Sequence, residues 1–448
     1  MQKALGICLL NDSFPPTVDG VATCVYNYAS IIERTYGRAI VCTPSYPNVR
    51  DDYPFSVVRY PSIAVGGTLE GYRAGIPFNA KLLDHLRAQD IDLLHAHCPI
   101  MSALLARTLR EQIHKPIVMS YHTKFDVEIE KALPLKSMQK AAARLLIGNV
   151  AACDEVWVVS RGAGENLRAL GYEGEYQVME NGVDFAKGRA PEEQVRLINE
   201  QNHLTPDGAA LLFVGRLMWY KGIRTILDGL KIARAQGAKF TMLFVGDGVE
   251  KNEIVAYAEE LGLSDVCRFV PAVHDREVLR AYYTRANMFL FPSDFDTNGI
   301  VVREAAACGT PSLLLRGSCA AEGIIDGRNG LLIHKDASEL SDAVRRVCAD
   351  LSYAQEIGEH AMNEIYLSWE EAVARAYARY QIVCDNYARR ARSAGEERPI
   401  HKGDDFFRVM AYVCKNKEHQ KPLKRKLYKP KKHKVFKFKE GKQESRWL

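Results

Sequence analysis

The chain has 448 residues, 47% hydrophobic and 26% charged, with a formal net charge of +5. That length exceeds what one core usually serves, so two domains plus an extension are expected. No apolar run approaches the roughly 20 residues that span a bilayer. The apolar run in the opening MQKALGICLLND stops too early for a secretory signal. Eleven cysteines without a CxxC pair point to reduced thiols in a cytosol rather than a disulfide scaffold.

The first apolar run, 5–10, reads as a buried strand and leads into NDSFPPTVDGVATCV, where Gly20 precedes a helix starting near Val21. Glycine there permits close backbone approach to a phosphate or an acceptor, and a plain turn glycine has the same appearance. Strand-like runs follow at 39–43, 92–95, 117–121 and 155–160, alternating with helical patterns, which argues for a parallel sheet covered by helices. His95 and His97 in LLHAHCP suggest a metal pair, but no third ligand is spaced to complete a site, so both read as structural strand-end residues. His122 in SYHTKFD follows the strand 117–121, at the end where ligands gather on such sheets, although an ordinary hydrogen-bonded loop histidine fits too. Lys136, Lys140 and Arg144 recur at i+4 steps along one helix face, which fits a membrane-facing helix or a core-packed helix with a solvated basic stripe.

Beyond Asn181 the strand-like runs are 211–214, 240–245, 288–291 and 312–315. The run 211–214 opens into GRLMWYKG, which places Arg216 and Lys221 five positions apart around a helix mouth, an arrangement that suits a diphosphate. The run 288–291 opens into PSDFDTNGIVVREAAACGTP, read as a loop carrying Asp296 and a helix from about Gly299 to just before Gly309. Glu304 then lies roughly 8 Å along that helix at 1.5 Å per residue. The amides of Asn298 and Gly299 lie between the two acids and favour an anion, while the flanking carboxylates can accept from hydroxyl groups. A nucleotide sugar has that layout; a capping Asp with a solvated Glu is the plainer alternative. The Asp294-Phe295-Asp296 triplet also mimics a metal-binding DxD, a reading set aside here.

Taken together, these segments resemble glycosyltransferase family 4, whose members are retaining enzymes of the two-domain GT-B fold and include diacylglycerol glucosyltransferases and phosphatidylinositol mannosyltransferases. Asn181, Gly182, Val183 and Asp184 resemble its NGVD interdomain turn. The resemblance runs in order over about the first 385 residues. It implies an α/β chain of two Rossmann-like, doubly wound domains facing a cleft. An acceptor domain would span 1–184 and a nucleotide-sugar domain 185–365, with a helix at 366–388 crossing back and a basic tail at 389–448. It implies a hexosyltransferase with no cofactor and no metal, using a nucleoside diphosphate sugar, UDP-hexose favoured over GDP-mannose. Donor contacts would fall to Gly20, Arg216, Lys221, Asp296, Asn298, Gly299 and Glu304, with Glu304 on the ribose diol. His122 would lie near the anomeric carbon, and His122, Asp296, Arg216 and Lys221 would form the catalytic set. The chain departs from the family at Asp296, where Glu is usual, and at Asn298, where an aromatic or aliphatic residue is common. A nucleotide-sugar epimerase shares the fold, and so does a cytosolic transferase for glycans or small molecules.

Charge divides unevenly along the chain. Residues 389–448 carry 20 Lys and Arg against 7 Asp and Glu, a formal +13, while the rest is near −8. The acid-free stretch 421–439 includes Lys424, Arg425 and Lys426, and an apolar patch around Phe406 and Phe407 precedes it. Basic clusters contribute about 1 kcal/mol per residue at an anionic surface, and an apolar anchor supplies the second signal that stable attachment needs. The expectation is a cytoplasmic protein, peripheral on the inner membrane face, acting on a lipid or glycan acceptor. A solvated tail without a partner is equally consistent, and nucleic acid is the less favoured partner.

Overall fold

The computed structural model describes residues 4–17, 19–65, 73–394 and Phe407. The basic residues Lys424, Arg425 and Lys426 therefore lie outside the described residues.

Fifteen strands are described: β1 Gly6–Leu10, β2 Arg38–Pro44, β3 Ser56–Tyr60, β4 Ser62–Ala64, β5 Arg73–Gly75, β6 Leu93–Ala96, β7 Ile117–Tyr121, β8 Glu155–Val158, β9 Gln177–Val178, β10 Ala210–Val214, β11 Thr241–Val245, β12 Cys267–Val270, β13 Met288–Phe291, β14 Ser312–Leu315 and β15 Leu331–Ile333. They form one seven-stranded parallel sheet in the order β3-β2-β1-β6-β7-β8-β9 and one six-stranded parallel sheet in the order β12-β11-β10-β13-β14-β15, with β4 and β5 as an antiparallel pair. Central strands such as β1 and β10 are buried along their whole length, because helices cover both faces of each sheet. This explains their continuous apolar runs. Three strands that the apolar runs did not reveal, β3, β9 and β12, lie at sheet edges, with most residues partly or fully exposed and mixed in polarity.

Strand order reverses between β1 and β6 in the first sheet and between β10 and β13 in the second. Crevices open outside the carboxyl ends at such switch points. The loops after β1, β6, β10 and β13 therefore gather where a ligand can bind, and they carry the motifs singled out from the sequence.

The C-terminal helix Trp369–Ala394 runs past residue 388, where the sequence reading placed its end, and packs on the first sheet. Tyr380 stacks on Trp157 with ring centroids 5.1 Å apart, and its hydroxyl lies 2.6 Å from His95 Nδ1. The Tyr377 hydroxyl accepts from the Leu5 amide at 2.7 Å and donates to the Tyr36 carbonyl at 3.1 Å. Arg379 grips both oxygens of Glu155. Where the chain leaves the first domain and where it returns, the two segments run side by side, with the Val183 amide donating to the Leu367 carbonyl at 3.0 Å. A Cβ on Gly182 would stand 2.4 Å from the Trp369 nitrogen, so only glycine allows this crossing.

The domains also meet across the cleft. Ser160 donates to the Thr297 carbonyl at 2.6 Å, Thr297 Oγ1 donates to the His122 carbonyl at 2.7 Å, and Lys124 donates to the Asp294 carbonyl at 3.0 Å. Glu322 accepts from the Arg161 and Gly162 amides, each at 2.7 Å, which sets an anion from the second domain on the positive end of the helix Arg161–Ala169.

Phe407 is buried, with the Arg107 guanidinium 3.9 Å from its ring centroid. At this residue the expected apolar anchor is instead packed on the first domain.

Gly182→Ala is expected to lower stability by about 1–3 kcal/mol, the range for forcing extra atoms into a filled space. Urea unfolding checks it, and a midpoint equal to that of the unaltered protein would contradict the crossing.

Candidate active site

The segment after β13 ends in a short helix, Ile300–Ala307, entered through Gly299 at φ +60°. A Cβ at Gly299 would also stand 2.9 Å from Ala320 Cβ, so glycine is required twice over. No side chain caps this helix, which leaves its first amides and its positive end open to an anion. Asp296 is thus not the capping residue that the plainer reading expected. Its Oδ1 accepts from Lys221 Nζ at 2.5 Å and its Oδ2 from Ser293 at 2.6 Å. Beside it, Asn298 Nδ2 is buried and has no hydrogen-bond partner among the described residues.

Glu304 is not solvated either. It is 5% exposed; its Oε1 accepts from Arg276 at 2.7 Å and its Oε2 from the Tyr283 hydroxyl at 2.9 Å. Burial pushes its carboxyl above the ordinary range, an effect partly offset by the Arg276 charge and the two hydrogen bonds. Each oxygen retains a lone pair that can take a hydroxyl proton. Arg276 also lies 3.8 Å from Asp184 in the NGVD turn.

The cations differ in their settings. Lys221 sits in a 3₁₀ turn, Trp219–Lys221, after β10; it is nearly buried, with Nζ 5.3 Å from the centre of the Phe291 ring. Arg216 is exposed, and no hydrogen bond or ion pair engages it among the described residues. Gly20 begins the helix Gly20–Ile31, whose cap is Asp19, accepting from the Val21 and Ala22 amides. A Cβ at Gly20 would meet nothing within 4 Å, so packing does not demand glycine there.

Both acids of the DxD-like triplet are engaged by lysines, Asp294 by Lys335 at 2.8 Å and Asp296 by Lys221. His95 is structural, held between Tyr380 and Ser120. His97 has neighbours from other elements. Its Nδ1 lies 3.0 Å from His122 Nε2, and Cys24 stands beside the pair, so the third ligand type that spacing along the chain failed to supply comes from other elements.

Lys221, Asp296 and His122 are thus joined through the loop that holds Thr297, while Glu304 belongs to a neighbouring group with Arg276, Tyr283 and Asp184. Arg276 and Tyr283 had no motif to mark them. Their spacing of seven on one helix, facing Glu304, is visible only once the helix Arg276–Arg285 is placed.

Burial pulls His122 down to about 4 and holds His95 and His97 well below the ordinary histidine range. These rings are neutral when folded and take up protons near pH 6.5 when unfolded, so their contribution is present above that pH and is lost as pH falls toward 4. Between pH 7 and pH 5, His122 alone is expected to remove roughly 2 kcal/mol of stability, at 1.36 kcal/mol per pH unit below 6.5. Urea midpoints at the two pH values check this, and a flat response would place the ring in water.

Residues 18–187 match the family described as Glycosyltransferase Family 4, and residues 195–364 match Glycosyl transferases group 1. The chain is 30% identical over 301 residues to D-inositol 3-phosphate glycosyltransferase 2 of Catenulispora acidiphila, covering 64% of this chain and 69% of that protein. It is 22% identical over 365 residues to alpha-monoglucosyldiacylglycerol synthase of Streptococcus pneumoniae, covering 80% and 81%. Among solved structures, HepE of Anabaena in complex with UDP superimposes with a TM-score of 0.67 at 18% identity, over 84% of this chain and all of that one. With two parallel-sheet domains closed over a cleft of paired acids and cations, the chain belongs to glycosyltransferase family 4 and is a hexosyltransferase of GT-B fold that uses a nucleotide-sugar donor.

Proposed function

We propose that the protein transfers a hexose, with retention, from a UDP-sugar to the hydroxyl of a membrane lipid of the diacylglycerol type at a cytoplasmic, anionic surface. The observation that carries the chemistry is Lys221 seated on Asp296 beside the uncapped helix Ile300–Ala307. In this reading Lys221, Arg216 and the helix amides meet the negative charge that grows on the departing diphosphate as the anomeric C–O bond breaks. The sugar becomes oxocarbenium-like. The acceptor hydroxyl attacks from the face the diphosphate leaves, and its proton passes to a phosphate oxygen. Asp296 accepts from a hexose hydroxyl, Asn298 Nδ2 and the Gly299 amide donate to others, neutral His122 lies near the anomeric carbon, Gly20 lets the diphosphate approach, and Glu304 takes the ribose diol. The UDP and UDP-glucose complexes of HepE support uridine as the base.

Two relatives named alpha-monoglucosyldiacylglycerol synthase support the lipid acceptor. So does the helix Lys136–Ala151 with its cap Leu135, which together expose Lys136, Lys140 and Arg144 beside Leu135, Met138 and Leu145, the last three at 58%, 45% and 60%. Cations beside apolar groups provide two signals for an anionic interface. No helix among the described residues is long and apolar enough to cross a membrane, so attachment would run through such surfaces. The inositol phosphate relative favours a second reading, a small soluble acceptor.

Incubation with radiolabelled UDP-glucose, UDP-galactose, UDP-N-acetylglucosamine and GDP-mannose over a membrane extract separates the two. Label from a UDP-hexose is expected in the organic phase, and label that stays aqueous would decide for the soluble acceptor. Lys221→Ala should lower kcat about 10²- to 10³-fold, the loss typical of one electrostatic contact to a developing charge. Unchanged turnover would remove Lys221 from the mechanism. Replacing Lys136, Lys140 and Arg144 by serine should weaken binding to anionic vesicles about 10²-fold, from about 1 kcal/mol per cation. Equal sedimentation with vesicles would sink the helix's role.

A further inference from the structure

Three side chains with metal-ligand chemistry meet at the edge of the cleft. Cys24 comes from the helix Gly20–Ile31, His97 from the end of β6 and His122 from the end of β7, and they are 1%, 3% and 9% exposed. Each offers one ligand atom, and the three atoms lie within 4.8 Å of one another. The two imidazoles are stacked, with ring centroids 5.3 Å apart and Nδ1 of His97 3.0 Å from Nε2 of His122. The other nitrogen of His97 is buried and has no hydrogen-bond partner among the described residues. Among the described residues the Cys24 thiol has only the side-chain oxygen of Asn181 at 3.5 Å, a weak contact for sulfur.

We propose that Cys24, His97 and His122 form a site for a thiophilic divalent cation, Zn²⁺ above all, and that an ion held there blocks the hexose end of the donor site. The first half of this proposal stands on the side-chain geometry; the second rests on the function proposed above. Tetrahedral zinc, with sulfur at about 2.3 Å and nitrogen at about 2.0–2.1 Å, holds its ligand atoms roughly 3.3–3.6 Å apart. Atoms now within 4.8 Å of one another need only small rotations to reach that spacing. One thiolate and two imidazoles select Zn²⁺ and its near relatives, whereas Mg²⁺ and Ca²⁺ want oxygen ligands, which this trio lacks. Three protein ligands leave a fourth position for water or a hydroxyl group. The Thr297 contact to the His122 carbonyl holds a loop of the second domain against this edge of the cleft. Once seated, the ion takes the imidazole that the transfer reaction needs beside the sugar.

Titration of the full-length protein with Co²⁺, a spectroscopic substitute for zinc, tests the site without reference to turnover. One equivalent should produce the near-ultraviolet sulfur-to-cobalt charge-transfer absorption, and Zn²⁺ should abolish it. The band is expected to vanish in Cys24→Ser and to persist in Cys98→Ser, a neighbouring thiol whose partner is Asp12. Should Cys24→Ser fail to fold, His97→Gln serves, with Co²⁺ affinity falling at least about 10-fold, the scale of losing one nitrogen ligand's support. No band in the unaltered protein, or the same band in both Cys24→Ser and His97→Gln, overturns the site. In parallel, Zn²⁺ should raise the apparent KM for the donor sugar, EDTA should reverse this, and Cys24→Ser should be insensitive. Full turnover with cobalt bound at Cys24 would overturn the block, and with it the placing of His122 beside the hexose, while the cation site itself would stand.

Discussion

The cleft depends on one backbone crossing, where residues 181–185 leave the first domain and residues 366–369 return to it. Gly182 lets the two segments approach to a distance that any side chain would forbid, and the Val183 amide bonds the returning segment at the Leu367 carbonyl. From there the helix Trp369–Ala394 is driven onto the first sheet by Tyr377, Tyr380 and Val383, so the second domain is tied at both ends to the first. This double connection sets how the two switch-point crevices face each other. It is what lets Thr297, on a loop of one domain, reach the carbonyl of His122 on the other.

Within the cleft most charges are held in pairs. Lys221 with Asp296 and Arg276 with Glu304 give the buried charges opposite partners, and an unpaired buried ion is among the costlier things a fold can contain, while Lys335 and Asp294 pair in solvent. In the proposed function a diphosphate joins this site by sharing Lys221 with Asp296, adding the open amides of Ile300–Ala307 and Arg216. The histidines follow the opposite logic. Burial keeps His95, His97 and His122 neutral, so His95 can lock the C-terminal helix while His97 and His122 lean on each other.

Much of the fold could be read from the chain because parallel strands buried on both faces are written as uninterrupted apolar runs. β1, β7, β13 and β14 carry no polar residue that would blur the pattern, apart from Ser120 and Ser312, whereas the edge strands β3 and β9 alternate or are too short to stand out. The loop glycines and the acids of the segment after β13 were visible for a similar reason, since special backbone angles and helix mouths restrict which residues can serve. The environments of those acids were not. The plainer alternative, a capping Asp with a solvated Glu, fails because Asp296 is an ion-pair partner and Glu304 is buried between Arg276 and Tyr283.

The sequence alone determined the two βα-alternating domains, the order of the motifs and the identity of the acids and cations proposed to meet a nucleotide sugar, because each is a property of short stretches of chain. The tertiary structure alone decided which of those groups touch. Cys24, His97 and His122 lie far apart in sequence and meet only because helix and strand ends converge at one edge of a parallel sheet. Phe407 packs on Arg107 for a comparable reason, since contacts between distant segments follow from how surfaces fit in space, and residue order carries no local mark of that fit.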